Sequence, residues 1–316
     1  IVTAGLFHIP VTVIVTKIAS VIINWSSLSV LLSLYLITFL QRILESRSQI
    51  RLAQQDLNGI FHNRRINTAG AAFFIGLLPS AASMILCADI VKDATEGYLD
   101  PKEQAFTASW FRHIPESVLP TYTAVLLMSN LSGVEISEFI LYMIVPVLAL
   151  AGLGYAVYLH RIPNDTGTPA STNRLADFAH LIQHLWSLLL ILILILVFHF
   201  QVVTSVLVSI ALCIIIYRVT LDEIRKFIFA AFEKKMLGNT FLVLCLKELI
   251  AHTGVLLLLP DAMAKLPLPT YLIFGLLFFT ATVISGSTGA IAMGTPLAFA
   301  AIPGGAPLMA YLMCMA

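Results

Sequence analysis

Long apolar runs separated by short polar stretches recur along the chain from about residue 27 to its end. Those near 27–45, 106–130, 136–159, 178–199, 203–218 and 240–260 approach the roughly 20 residues a helix needs to cross about 30 Å of hydrocarbon. They predict membrane-spanning helices. Two further runs, 66–90 and 269–300, are broken near their middles by small and polar residues. The first reads Phe73-Phe74-Ile75-Gly76-Leu77-Leu78-Pro79-Ser80-Ala81-Ala82-Ser83. The second reads Phe278-Phe279-Thr280-Ala281-Thr282-Val283-Ile284-Ser285-Gly286-Ser287-Thr288-Gly289. Aligned on their phenylalanines, Ser80-Ala81-Ala82-Ser83 falls on Ser285-Gly286-Ser287-Thr288. Broken apolar segments in matching halves of a membrane chain point to a transporter's binding site. The competing explanation is that small residues merely let helices pack closely.

Composition agrees with a bilayer. The chain is 59% hydrophobic and only 11% charged, where soluble domains carry about 25% charged residues. A formal net charge of +1 gives no electrostatic basis for binding nucleic acid. Cys87, Cys213, Cys245 and Cys314 sit singly inside apolar runs, without metal spacing or a disulfide framework, and read as buried small residues. Ile1 is no initiator and the last apolar run stops short at Ala316, so a chain truncated at both ends is expected.

Basic residues mark the cytoplasmic side of short membrane loops. If 66–90 dips in and returns to the face it left, the basic clusters at 42–65, 92–102, 161–174 and 218–235 all share one face. If it crosses as a plain helix, everything after it flips and the bias all but vanishes. Charge placement therefore favours a re-entrant hairpin, and the same reasoning has 269–300 enter from the opposite side. An amphipathic stretch at 8–24 precedes the 27–45 span and the first hairpin, and another at 219–237 precedes the 240–260 span and the second. The expected fold is an all-α polytopic membrane protein of two inverted-topology repeats, 1–176 and 177–316. Each repeat carries a re-entrant hairpin and an interrupted helix.

The candidate chemistry follows from these breaks. A tip of Ser, Ala, Gly and Thr offers hydroxyls and free amides, and half-helix N-termini add a partial positive charge suited to a carboxylate. Unwound carbonyls and hydroxyls suit Na⁺. The first tip contributes Pro79, Ser80, Ala81, Ala82 and Ser83; the second contributes Ser285, Gly286, Ser287, Thr288 and Gly289. In Trp110-Phe111-Arg112-His113-Ile114-Pro115-Glu116-Ser117-Val118-Leu119-Pro120, two prolines each remove a backbone donor and make an unbroken helix improbable. His113, Pro115, Glu116 and Ser117 flank that break as binding candidates, with Arg112 either functional or snorkelling to the interface. Lys247, Glu248 and His252 fall inside the 240–260 run; they are secondary candidates or helix glue. His180, His184 and His199 border an apolar span and read as interfacial or satisfied histidines rather than ligands. Ile302-Pro303-Gly304-Gly305-Ala306-Pro307 is a further break, mirroring the first proline break.

At Ile75-Gly76-Leu77-Leu78-Pro79, at Trp110-Phe111-Arg112-His113-Ile114-Pro115-Glu116 and more weakly at 285–289, the chain resembles an uncharacterised integral-membrane family. That family is domain of unknown function 401, grouped with the ion-transporter superfamily of gluconate, dicarboxylate and citrate carriers. The resemblance runs from roughly 60 to 316. It departs at the first tip, where the family's glycines are replaced by Ser80-Ala81-Ala82-Ser83. It implies inverted repeats, binding at hairpin tips and broken helices, a homodimer, and a multi-pass protein of the prokaryotic inner (plasma) membrane.

The leading expectation is a non-enzymatic, ion-coupled secondary transporter of a small organic anion working by alternating access. It needs no cofactor beyond a coupling Na⁺ or H⁺, with Na⁺ placed at the hairpin tips. No GxxxxGK[ST] phosphate loop appears, so ATP-driven transport by this chain is unsupported. The alternatives are a passive channel or scaffold and, more remotely, an intramembrane hydrolase using Ser287 with His252.

Overall fold

The structure is a computed structural model that describes residues 7, 9–61, 63–76, 81–165, 173–263, 265 and 267–316. Among them the fold is all helix. In chain order the helices are α1 (Val11–Ile23), α2 (Trp25–Ser46), α3 (Gln49–Phe61), α4 (Arg64–Ile75), α5 (Ala81–Thr95) and α6 (Pro101–Glu116). Then come α7 (Thr123–Ser132), α8 (Ile136–Val157), α9 (Arg174–Leu196), α10 (Val202–Ile216) and α11 (Leu221–Ala230). The last are α12 (Lys234–Thr253), α13 (Val255–Met263), α14 (Thr270–Ser285), α15 (Ser287–Ala301) and α16 (Ala306–Met315).

Local chemistry sets several of these ends. Asp100 caps α6 by accepting from the Lys102 and Glu103 amides, Glu103 returns a bond to the Asp100 amide, and Pro101 opens the first turn. Thr220 and Glu223 form the same reciprocal box at the start of α11. The Asn173 side chain accepts from the Ala176 amide at the head of α9.

Among the described residues three helices are long and apolar enough to cross a membrane: α2, α8 and α9. They match the runs read at 27–45, 136–159 and 178–199, which marks a membrane protein by length and composition. Only 11% of the α8 window is buried, leaving Leu141, Val145 and Leu148 exposed for lipid or a partner to cover. Two other runs differ from expectation, and a third, 106–130, breaks where its prolines predict. The 240–260 run is two helices, α12 and α13, bent by 65° at Gly254, whose φ of 70° a residue with a Cβ resists. The 106–130 run divides into α6 and α7 around residues 117–122. α10 has 15 residues, a length of about 22 Å at 1.5 Å per residue, short of a full crossing.

The chain divides into two compact units, each assembled from non-adjacent segments. The first contains Ile1–Leu36, Thr123–Met143 and Phe232–Ala316. In it α15 packs on α14, α7 and α13, α1 packs on α12, and α16 packs on α14. The second contains Ile37–Tyr122 and Ile144–Ala231. Its broadest helix contact joins α3 to α9, while α4, α5 and α6 all pack on one another.

Each unit holds one helical hairpin where the sequence showed a broken apolar run. α14 and α15 are joined through Gly286 alone and pack together. A Cβ on Gly294 would lie 2.5 Å from the Phe278 ring, eight residues from the turn on either arm, so the arms run antiparallel. The other hairpin is α4 and α5.

Candidate functional site

In the second unit the far end of α4 meets the proline break. The Tyr122 hydroxyl donates to the Gly76 carbonyl. A Cβ on Gly76 would stand 2.6 Å from the Arg112 carbonyl oxygen and 2.7 Å from Pro115 Cγ, so only glycine permits this approach. Pro115 lies in the last turn of α6, where few further helical bonds remain to lose, and the helix ends one residue later at Glu116. The chain then passes through 117–122 without regular helix.

Glu116 gathers the charged residues of this segment. Its Oε2 lies 2.5 Å from His113 Nδ1 and 3.5 Å from Arg112 Nη1. Arg112 is buried, at 7% exposure, and its Nε has no hydrogen-bond partner. The guanidinium is therefore enclosed within the unit. Ser117 Oγ donates to the Ile114 carbonyl at 2.8 Å, so that hydroxyl serves the helix end. Of the first tip, Pro79 and Ser80 lie outside the described residues, and Ala81, Ala82 and Ser83 open α5.

The second tip is described throughout. Gly286 has φ 81° and ψ 161°, a region essentially reserved for glycine. Its amide bonds back to the Thr282 carbonyl at 2.8 Å, and no side chain caps α15. The first amides of α15 lack intrahelical acceptors, and Ser287, Thr288 and Gly289 stand there, partly exposed. Ser285 Oγ is satisfied locally by the Ala281 carbonyl at 2.8 Å.

Lys247 and Glu248 diverge, as their adjacent positions on a helix require. Lys247 Nζ donates to the Asn130 carbonyl and Oδ1 at 3.2 and 3.1 Å, and Asn130 Nδ2 donates to the Ser26 carbonyl at 2.7 Å. Glu248 pairs with Lys17 of α1 at 3.7 Å, and His252 is exposed. These contacts join α12 to α7 and α1 within the first unit. Cys87, Cys213 and Cys245 are buried as expected, but Cys314 is exposed.

Two features of the second unit were not singled out from the sequence. One is an open cavity of about 660 Å³ between α4, α6 and α8, lined by Phe73, Phe111, Ile114, Ala151 and Tyr155 with Arg65 at its edge. Its lining is apolar, and Arg65 is already bonded to the Tyr155 hydroxyl and the His160 carbonyl at 3.0 and 2.9 Å. The other is a convergence of Asp56, Asp177 and His180 between α3 and α9. Asp177 and His180, three apart, showed only that they share a helix face; nothing local in the sequence pairs them with Asp56.

No curated protein matches the chain. A family model described as "Protein of unknown function (DUF401)" matches residues 10–314, nearly the whole sequence, and the chain belongs to that family.

Proposed function

We propose that the chain is an ion-coupled secondary transporter of a small organic anion, a carboxylate for example, working by alternating access. One observation carries this: in the second unit the end of a hairpin arm, Gly76, packs against the proline break at Arg112–Pro115, with Glu116 beside it. Two neighbouring departures from helix free backbone N–H and C=O groups. At membrane depth such groups persist only where protein or a water-lined cavity satisfies them. Interrupted helices beside an ionisable residue are also how secondary transporters build ion and substrate sites.

In this proposal Ser80, Ser83, Ser285, Ser287 and Thr288 supply hydroxyls to the anion or Na⁺, and Glu116 couples movement to Na⁺ or H⁺. The uncapped amides at the head of α15 favour an anionic group near Ser287. Both hairpins are re-entrant and enter from opposite faces, as members of inverted repeats spanning 1–176 and 177–316. The working protein is a multi-pass homodimer in a prokaryotic plasma membrane, related to the gluconate, dicarboxylate and citrate carriers.

The test is uptake of a panel of labelled carboxylates into proteoliposomes under imposed Na⁺ or proton gradients. The expected result is saturable uptake that needs one gradient and falls about tenfold or more in Glu116→Gln, since a coupling carboxylate cannot be replaced by a neutral amide. Flux that never saturates would make the protein a channel. No gradient-dependent uptake of any carboxylate would end the proposal.

A further inference from the structure

The second unit holds a group of metal-ligating side chains well away from the proline break in sequence. Asp56 of α3 and Asp177 and His180 of α9 bring one ligand atom each within 4.8 Å of one another. Asp177 and His180 are three apart and share a helix face; Asp56 approaches from the facing helix, in the broadest helix contact of the unit. His184, one turn beyond His180, places Nε2 3.5 Å from Asp56 Oδ2.

Two observations distinguish this from a solvated charge cluster. Asp56 Oδ2 and Asp177 Oδ2 are both buried, and neither has a hydrogen-bond partner. Two carboxylates held within 4.8 Å of each other, with His184 Nε2 at 3.5 Å beside one of them and no hydrogen bond to either buried oxygen, are costly unless a proton or cation lies between them. Next, His184 is held in place: its Nδ1 lies 3.0 Å from Gln49 Oε1, while Gln49 Nε2 donates to the Arg47 carbonyl at 3.1 Å. With the Gln49 amide so fixed, its oxygen accepts from Nδ1–H and leaves Nε2 facing Asp56. Hydrogen-bonded orientation of an imidazole is the usual support behind a metal-binding histidine.

We propose that Asp56, Asp177 and His180 bind a first-row divalent transition-metal ion, of which Zn²⁺ is the type, joining α3 to α9, with His184 beside it as fourth ligand or positioning residue. Mixed carboxylate and imidazole donors select this class over Mg²⁺ and Ca²⁺, which prefer oxygen throughout. Ligand atoms about 2.0–2.2 Å from a common ion lie roughly 3.3–4.4 Å apart, so the 4.8 Å spread closes with small side-chain rotations. The site is independent of the transport proposal.

The experiment uses the purified chain in detergent, stripped with chelator and titrated with Zn²⁺, with bound metal measured by calorimetry and elemental analysis. One Zn²⁺ per chain is expected, retained against excess Mg²⁺. Asp177→Asn and His180→Gln should each weaken binding about tenfold or more. Co²⁺ should occupy the same site and give a ligand-field absorption that His180→Gln alters. Asp56→Asn is the variant most exposed to misfolding, so folding of every variant is checked by circular dichroism, and the exposed His180 carries the decision. Zn²⁺ binding unchanged in an Asp177→Asn/His180→Gln double variant, or no binding to the stripped wild-type chain, would overturn the proposal.

Discussion

A Cβ at position 76 would sit 2.6 Å from the backbone oxygen of Arg112, and backbone yields far less readily than a side-chain tip. Gly76→Ala is therefore expected to destabilise the second unit by about 1–3 kcal/mol, the usual cost of overpacking. The measurement is a thermal melt in detergent; an unchanged melting temperature would mean that α4 and the break are not in close contact. Part of this residue-level picture is legible in the sequence. Pro115, Pro120 and Glu116 announce a break with an ionisable group beside it, because proline acts on its own backbone whatever surrounds it. The burial of Arg112 is not legible, since a guanidinium near an interface has two homes and only the neighbours decide. The Asp56 cluster is hidden for the same reason: its members are 121 residues apart, and nothing local fixes how α3 and α9 align.

At the scale of the element, α11 shows how a surface helix is held in place. It buries no residue, yet its capping carboxylate Glu223 also takes both Arg47 guanidinium nitrogens, at 2.8 and 3.1 Å. The hydrogen bonds from Arg47 come first, then that from the Thr220 amide, in holding the Glu223 carboxyl down to about 2 from an ordinary 4.5. A depressed carboxyl contributes stability above its unfolded value and loses it as pH falls toward its folded one. The attachment of α11 should thus weaken between about pH 4.5 and pH 2. Amide hydrogen exchange across 221–230 checks this: the acid loosening should be absent in Glu223→Gln, which is already loosened at neutral pH. A wild-type acid profile in that variant would count against the clamp. The amphipathic stretch at 219–237 and the Thr220–Glu223 box were readable, because caps and amphipathicity are local. Arg47, far away in sequence, was not.

Across the whole molecule, apolar run length correctly located α2, α8 and α9, where about 20 uninterrupted residues leave few options. It failed at Gly254, because one glycine in an apolar run is compatible with either a straight or a bent helix. The two units are not consecutive in sequence either: α1 rests on α12, and α7 rests on α15, across a hundred residues or more. That interleaving dictates an order of assembly during synthesis. A ribosome that has reached residue 231 has made every segment of the second unit, while α1 and α7 of the first still await their partners. A chain arrested there should leave Met128→Cys, buried in α7 of the finished protein, open to a membrane-permeant thiol reagent, while Ile162→Cys is already shielded. Equal protection of both positions in the arrested chain would rule this order out. For as long as translation takes to supply residues 232–316, α7 lacks the helices it packs on and is the natural place for a chaperone to hold.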